Sequence, residues 1–333
     1  MSRAHESKGG LGCRHLAVLA YAGAILAAVG GCERKESQQP ATGTPGKAAQ
    51  TAAEPLVVYT TFYPTTYFTQ RIAGDAVEVS CPCPVDADPA FWMPDEQTVA
   101  AYQQADLIVV NGASFEKGLA KVTLPESRMV DTAKPLADEF IVLEETVTHT
   151  HGPKGEHSHE GIDGHTWLDP INARIQAGEI RNALVARLPD RAEALEQGYA
   201  ELVKDLDALD ARLKALAPKL GEQVLLCSHP AYNYVGRRYA WNLKTYHLDP
   251  EMMPDDETFA EIKSYLAEQP AKYMLWESQP TEEIAARMGT ELGLECIVYS
   301  PCEALDSAQL AAGEDFLTVM NGNVQRLEQA LGD

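Results

Sequence analysis

Five histidines fall within seventeen residues, His149, His151, His157, His159 and His165, in the stretch HTHGPKGEHSHEGIDGHTWLDP. Neutral imidazole is the commonest protein ligand for zinc-like metals, so the run predicts binding of a divalent transition metal. The first four lie among Gly, Pro, Lys and Ser, the composition of a flexible loop, which is predicted over residues 148–160. His165 instead leads into Trp167-Leu168-Asp169-Pro170. Two jobs follow: His149, His151, His157 and His159 form a mobile metal-collecting loop, and His165 is an ordered ligand. Trp167 and Asp169 are expected to pack beside that imidazole and orient it.

A second histidine, His229, and a carboxylate, Glu277, are predicted just past strand ends, the edge of an open α/β sheet where ligands bind. Cys227 lies two residues from His229 and would share a strand face with it, but reads as a buried strand thiol. His247, in Tyr246-His247-Leu248-Asp249-Pro250, reads as part of a surface loop. There is no H-E-x-x-H helix, phosphate loop, dinucleotide fingerprint or nucleophile elbow, so a metal-dependent hydrolase finds little support and no catalytic step is expected.

The elements that must carry these residues alternate strand and helix. Strands are predicted over Leu56–Thr61, Val77–Val79 and Asp106–Gly112, with helices over Thr65–Ala73 and Glu96–Ala105. The same grammar returns after residue 219. There, strands fall at Gln223–Cys227, Tyr273–Trp276 and Cys296–Tyr299, and helices at Ala231–Tyr239, Thr258–Glu268, Thr281–Leu292 and Phe316–Leu331. This alternation predicts two parallel-sheet lobes. Between them, Leu195, Tyr199, Leu202, Leu206, Leu209, Leu213 and Leu216 recur at spacings of four and three until Pro218. That is one amphipathic helix, on the order of 40 Å long. A heptad this regular suits a coiled-coil dimer seam, but with strand–helix units on both sides it is expected to pack on its own protein as a monomer.

The chain carries 27 Lys and Arg against 49 Asp and Glu, a net charge of −22. Such a surface repels nucleic acid and anionic headgroups. Residues 1–31 read as a signal peptide, with a basic start at Arg3, Lys8 and Arg14 and an apolar Leu16–Gly30 stretch too short for a comfortable span. The stretch ends Val29-Gly30-Gly31-Cys32, which resembles a bacterial lipobox and marks Cys32 for lipidation. Residues 33–54 have the composition of a disordered tether. Cys81, Cys83, Cys227, Cys296 and Cys302 remain, an odd number that leaves at least one thiol without an intramolecular partner.

Taken together, these residues resemble the ZnuA-like zinc- and manganese-binding lipoproteins of bacterial ABC importers. The resemblance runs through VVYTTFYPTTYFTQRIAGD, DADPAFWMPDEQTVAAYQQADLIVVNGASFE, His165-Thr166-Trp167-Leu168-Asp169-Pro170, the long helix and Ser228-His229-Pro230-Ala231-Tyr232-Asn233-Tyr234. It implies an α/β fold of two doubly wound parallel-sheet lobes joined by a long rigid helix, with the metal in a cleft between them. It also implies that His165 and His229 are metal ligands. The family's other two ligands are a histidine directly after Asp-Pro and an aspartate before a proline, and these places hold Ala90 and Ser300. Glu277, Cys302 and Glu303 are the additional candidates for completing the sphere, along with the loop histidines; a thiolate from Cys81 or Cys83 would tilt the site toward zinc or Cu(I).

The resulting plan is a signal peptide over 1–31, a lipidated Cys32 with tether over 32–54, a first α/β lobe over 55–187, the interlobe helix over 188–218 and a second lobe over 219–333. The expected function is capture of zinc outside the cytoplasm, in the periplasm or at the cell surface, and its delivery to an ABC permease, from a lipid anchor in a membrane. The alternatives are a manganese-binding homologue, a thiol-dependent copper or redox carrier, and the hydrolase.

Overall fold

The computed structural model describes residues 55–143, 148–150, 156–158 and 161–332. The expected leader, Cys32, the tether, His151 and His159 lie outside the described residues. Among the described residues no helix is long and apolar enough to cross a membrane.

The first sheet contains β1 (Leu56–Thr60), β2 (Val77–Ser80), β3 (Leu107–Val110) and β4 (Met129–Asp131), in the order β2-β1-β3-β4 and all parallel. Its helices are α1 (Tyr63–Ala73) and α2 (Glu96–Gln104). Four short strands follow: β5 (Val142–Leu143), β6 (Thr148–Thr150), β7 (Glu156–Ser158) and β8 (Gly161–Ile162). Two helices, α3 (Pro170–Arg187) and α4 (Ala192–Leu220), then lead to the second sheet. This sheet contains β9 (Val224–Cys227), β10 (Asn242–Thr245), β11 (Ala271–Trp276) and β12 (Glu295–Val298), in the equivalent parallel order β10-β9-β11-β12. Around it lie α5 (Asn233–Tyr239), α6 (Asp256–Glu268), α7 (Glu282–Arg287), α8 (Ser307–Ala312) and α9 (Phe316–Leu331). All four residues of β3 and all four of β9 are buried, as continuous apolar runs in a doubly covered sheet should be.

Helix α4 buries Leu195, Leu202, Leu206, Leu209, Leu213, Leu216 and Leu220 along one stripe. Full burial of a leucine side chain stabilises by about 1.5–3 kcal/mol. The stripe belongs to a single core that also holds Phe68 and Ile72 of α1, Ile180 and Leu184 of α3, and Val324 and Leu327 of α9. Val58 of the first sheet and Leu225 of the second are in the same core. The leucine seam is therefore filled by the protein's own helices, which removes the basis for a dimer seam.

Three features differ from the expectation. The helix does not stop at Pro218 but ends at Gly221, whose φ of 55° is positive and whose N–H bonds to the Ala217 carbonyl at 3.0 Å. A proline in the last turn forfeits one hydrogen bond, a cost that the packing of Leu216 and Leu220 on either side outweighs. Helix α3 has no counterpart in the sequence reading, because its buried face is Asn172, Ala173, Gln176, Ala177 and Gly178 before the first large apolar residue, Ile180. Within the histidine-rich stretch, β6 and β7 form an antiparallel ladder that sets His149 opposite His157, where a loop is expected.

Candidate metal centre

The carboxyl ends of β9 and β11 deliver His229 and Glu277, and the loop after β12 delivers Ser300 and Glu303. The first half of the chain supplies His165, just before a short turn at Thr166–Leu168, and the loop holding Asp88 and Ala90. These residues line one cavity of about 410 Å³. Both histidines are 6 % exposed, and their rings lie 5.6 Å apart at nearly a right angle.

His165 is held from both sides. Its Nδ1 lies 2.8 Å from Asp163 Oδ1, which also accepts the His165 backbone N–H at 3.0 Å. Its Nε2 lies 3.1 Å from Glu303 Oε1. Hydrogen bonding to two acidic partners favours a proton on each ring nitrogen, the imidazolium form. Burial opposes that charge, yet the hydrogen bonds from Asp163 and Glu303 outweigh it and raise the group from 6.5 to about 10. A proton is thus shared between His165 and Glu303 in this arrangement.

His229 Nδ1 lies 3.5 Å from Glu277 Oε2. The Glu277 carboxyl is pushed up from 4.5 to about 8, first by burial and then by the nearby Glu303 and Asp88 carboxylates, with His165 acting in the opposite direction. The cavity therefore concentrates negative charge that a cation would relieve. Among the described residues, no group of three or more His, Cys, Asp and Glu side chains is drawn close enough to form a finished metal cage. His165, His229, Glu277 and Glu303 surround the space without closing on one point.

The framework under His165 is polar. Asn111 donates to the Gly164 carbonyl at 2.9 Å, Gln176 of α3 donates to Asn111 Oδ1 at 2.8 Å and Thr132 at 2.9 Å, and Thr166 donates to Gln176 at 3.1 Å. Asp163 ties this framework to the second half of the chain. Its Oδ2 accepts from Asn233 at 2.9 Å and its carbonyl accepts from Tyr234 at 2.9 Å. A buried network with every member partnered holds its residues in one arrangement.

Several sequence expectations are redistributed. Asp169 does not touch the imidazole: it caps α3 by accepting from the Ile171 N–H at 2.9 Å and pairs with Arg238. The orienting carboxylate is Asp163, a residue the sequence reading passed over although it lies two positions from His165. Trp167 packs 5.3 Å from the His165 ring, and its indole N–H donates to the Pro301 carbonyl at 2.8 Å. Cys302 is removed from the candidate ligands, because it is 1 % exposed within the apolar core and burial drives its thiol well above the ordinary range. Burial likewise raises Cys227, and Cys83 is pushed up to about 12 by burial, Cys81 and Asp88, so none of these is a ready thiolate. Ala90 and Ser300 both lie in the cavity wall, so the two positions that hold neither an imidazole nor a carboxylate are at the site itself. Leu143 and Ile162, the strand ends beside the histidine-rich stretch, lie in that wall too.

Known proteins share this fold. The zinc-binding lipoprotein AdcA of Streptococcus pneumoniae is 30% identical over 280 residues, covering 82% of this chain and 55% of AdcA. The chain thus spans about half the length of that relative. The high-affinity zinc uptake system protein ZnuA of Bacillus subtilis is 28% identical over 297 residues, covering 85% of this chain and 90% of that protein. Among solved structures, the metal-dependent lipoprotein YcdH of Bacillus subtilis superposes with a TM-score of 0.71 at 25% identity, over 82% of this chain and 98% of its own. Zn(II)-bound AdcA of Streptococcus pneumoniae gives 0.70 at 25% identity, over 84% of this chain and 58% of its own. The sequence profile described as zinc-uptake complex component A, periplasmic, matches residues 58–330. With two parallel-sheet lobes, a stiff helix between them and a pair of histidines facing each other across the cleft, the chain belongs to the zinc-uptake complex component A family.

Proposed function

We propose that this protein is the extracytoplasmic zinc-capturing component of an ABC importer, and that it holds the ion between its lobes and passes it to a membrane permease. The observation that carries this reading is the facing pair His165 and His229, with Glu303 and Glu277 beside them in one cavity. Two imidazoles and two carboxylates are a donor set that suits zinc; manganese prefers oxygen-richer sites. Asp163 holds Nδ1 of His165 so that Nε2 faces the cavity, and zinc entry displaces the proton that Nε2 shares with Glu303. The protein has no catalytic step in this reading.

A lipid on Cys32 would keep the monomeric body at a membrane, and the histidines of residues 148–160 would gather metal beside the cavity wall formed by Leu143 and Ile162. The burial of Cys302 counts against the thiol-based copper carrier.

The test is a zinc titration by calorimetry with elemental analysis, comparing the unmodified protein with a His165→Ala/His229→Ala double variant and a variant lacking residues 148–160. One tight zinc that vanishes in the double variant is the expected result. Weak multiple binding that disappears with the loop alone would remove the cleft as the cargo site.

A further inference from the structure

Beside His165, the loop that follows β3 is held in a conformation that its residue types do not favour. Gly112, Ala113 and Ser114 have φ values of 81°, 51° and 58°, three successive positions in the positive region. Glycine takes such angles freely, whereas a Cβ makes each of the other two costly. Gly112 carries a second constraint, since a Cβ there would lie 1.8 Å from Asp131 Oδ1. Strain of this kind persists only where surrounding contacts enforce it, and here they converge on one carboxylate. Glu116 Oε1 accepts the Asn111 N–H at 2.5 Å and the Thr61 hydroxyl at 2.7 Å, and Oε2 accepts the Gly112 N–H at 3.2 Å. Successive backbone N–H groups make a cradle for an anion, and the chain fills this one with its own side chain. Through Thr61 the same carboxylate ties the carboxyl end of β1 to that of β3.

Two arms run from this loop to His165. Asn111 donates to the Gly164 carbonyl at 2.9 Å, which fixes the main chain one residue before the histidine. Phe115 sets its ring 6.1 Å from the His165 ring and 4.9 Å from that of Trp167, edge to face in both cases. The approach is close at the backbone as well, because a Cβ on Gly164 would lie 2.9 Å from Phe115 Cβ and 3.0 Å from its Cα. A loop that relaxed out of the positive-φ region would move Phe115 and release the Gly164 carbonyl, and the His165 imidazole would lose its backing. We propose that Glu116 is a positioning residue of the zinc site: by holding residues 112–114 in left-handed backbone, it fixes the direction in which His165 presents Nε2. The proposal rests on the zinc-capture reading above and names a residue that sets the geometry of that site without touching the metal. Asp163 secures the ring at Nδ1, and Glu116 secures the wall against which the ring packs.

The experiment uses the full chain in detergent. Zinc affinity is read by competition with an indicator, and cobalt(II) in place of zinc reports the geometry of its ligands through its visible absorption. Glu116→Ala should bind zinc at least about tenfold more weakly than the unmodified protein and give an altered cobalt spectrum, with thermal unfolding recorded so that only folded protein is compared. Adding Ala113→Gly and Ser114→Gly to that variant should restore most of the affinity and the original spectrum, because glycine adopts the same backbone without an enforcing contact. A lower unfolding temperature with both metal readouts unchanged would show a merely structural role and overturn the proposal. Lost affinity that the two glycines do not restore would also overturn it, since the effect would not pass through the loop backbone. If Glu116→Ala does not fold, Glu116→Gln takes its place: its amide sets a donor against the N–H groups of the cradle, and the same weakening, spectral change and rescue are expected. No zinc bound by the unmodified protein would overturn the zinc reading itself, whereas equal binding by the unmodified protein and the Glu116 variants would overturn the positioning role alone.

Discussion

At the scale of single residues, the chemistry turns on what the His165 ring touches. Asp163 fixes one nitrogen through Oδ1 and is itself fixed by Asn233 through Oδ2. Removing its charge leaves the ring's size and place unchanged but weakens the hold on its orientation and basicity. Asp163→Asn should therefore lower zinc affinity about 10–100-fold, the usual effect of losing a ligand's hydrogen-bond partner, as measured by competition with a zinc indicator. The same contacts set a pH dependence. Without metal, His165 keeps its proton up to about 10, so binding zinc near neutrality releases that proton and affinity rises with pH. Calorimetry in buffers of different ionisation enthalpy should detect the release, and buffer-independent heats would refute it. The folded-state values of His165 and Glu277 are both raised, so each group binds its proton more tightly in the metal-free fold than in the unfolded chain. The stabilisation from Glu277 is complete below about 4.5 and fades as pH rises through about 8; that from His165 is complete below about 6.5 and fades through about 10. Thermal unfolding of the metal-free protein should accordingly fall in temperature between neutral and alkaline pH.

At the scale of elements, α1, α3, α4 and α9 position both halves of the site. Helix α4 approaches the backbone of α1 closely at Gly198, where an added Cβ would lie 2.5 Å from the Ile72 carbonyl oxygen and 2.8 Å from that of Arg71. Replacing a glycine inside a helix by alanine ordinarily favours the helix by up to about 1 kcal/mol. Here two backbone oxygens block the new methyl and α1 cannot yield as a flexible side chain would. Gly198→Ala should therefore destabilise the protein by about 1–3 kcal/mol while leaving zinc affinity unchanged, which denaturant unfolding and calorimetry would check. The α4 stripe was legible because leucine recurs at strict helical spacing. Helix α3 was not legible, since Gln176 and Gly178 are buried there for hydrogen bonding and close packing with Tyr199, neither of which has a hydrophobic period. The sole local sign of its start was Asp169 as cap followed by Pro170 in the first turn.

At the scale of the whole molecule, one core passes from Val58 in the first sheet through the α4 leucines to Leu225 in the second. Polar contacts add to it across the cleft: the Trp167 indole to the Pro301 carbonyl, Tyr234 to Asp163, and the Tyr63 N–H to the Glu303 carbonyl at 3.1 Å. A hinge would have to break this core, so metal release should proceed by local rearrangement at the cleft. Solution scattering profiles of the metal-free and zinc-loaded forms should superimpose, and a large change in radius of gyration would show a domain closure that the core does not permit.

The sequence by itself determined the α/β class, the long helix, the strand ends that carry His229 and Glu277, and the histidines suited to metal. Those features depend on local periodicity, on turn chemistry and on the coordination preferences of imidazole, all of which are written in neighbouring residues. The tertiary structure alone decided which carboxylates meet which imidazoles. Asp163 lies two residues before His165 and Asp169 four after it, and the packing of α3 and α5 gives Asp169 to Arg238 and leaves Asp163 to the ring. Glu303 reaches His165 across 138 residues and Cys302 beside it turns into the core, because adjacent residues on an irregular loop point in different directions. Nothing within either segment encodes that choice, which depends on where the other lobe lies.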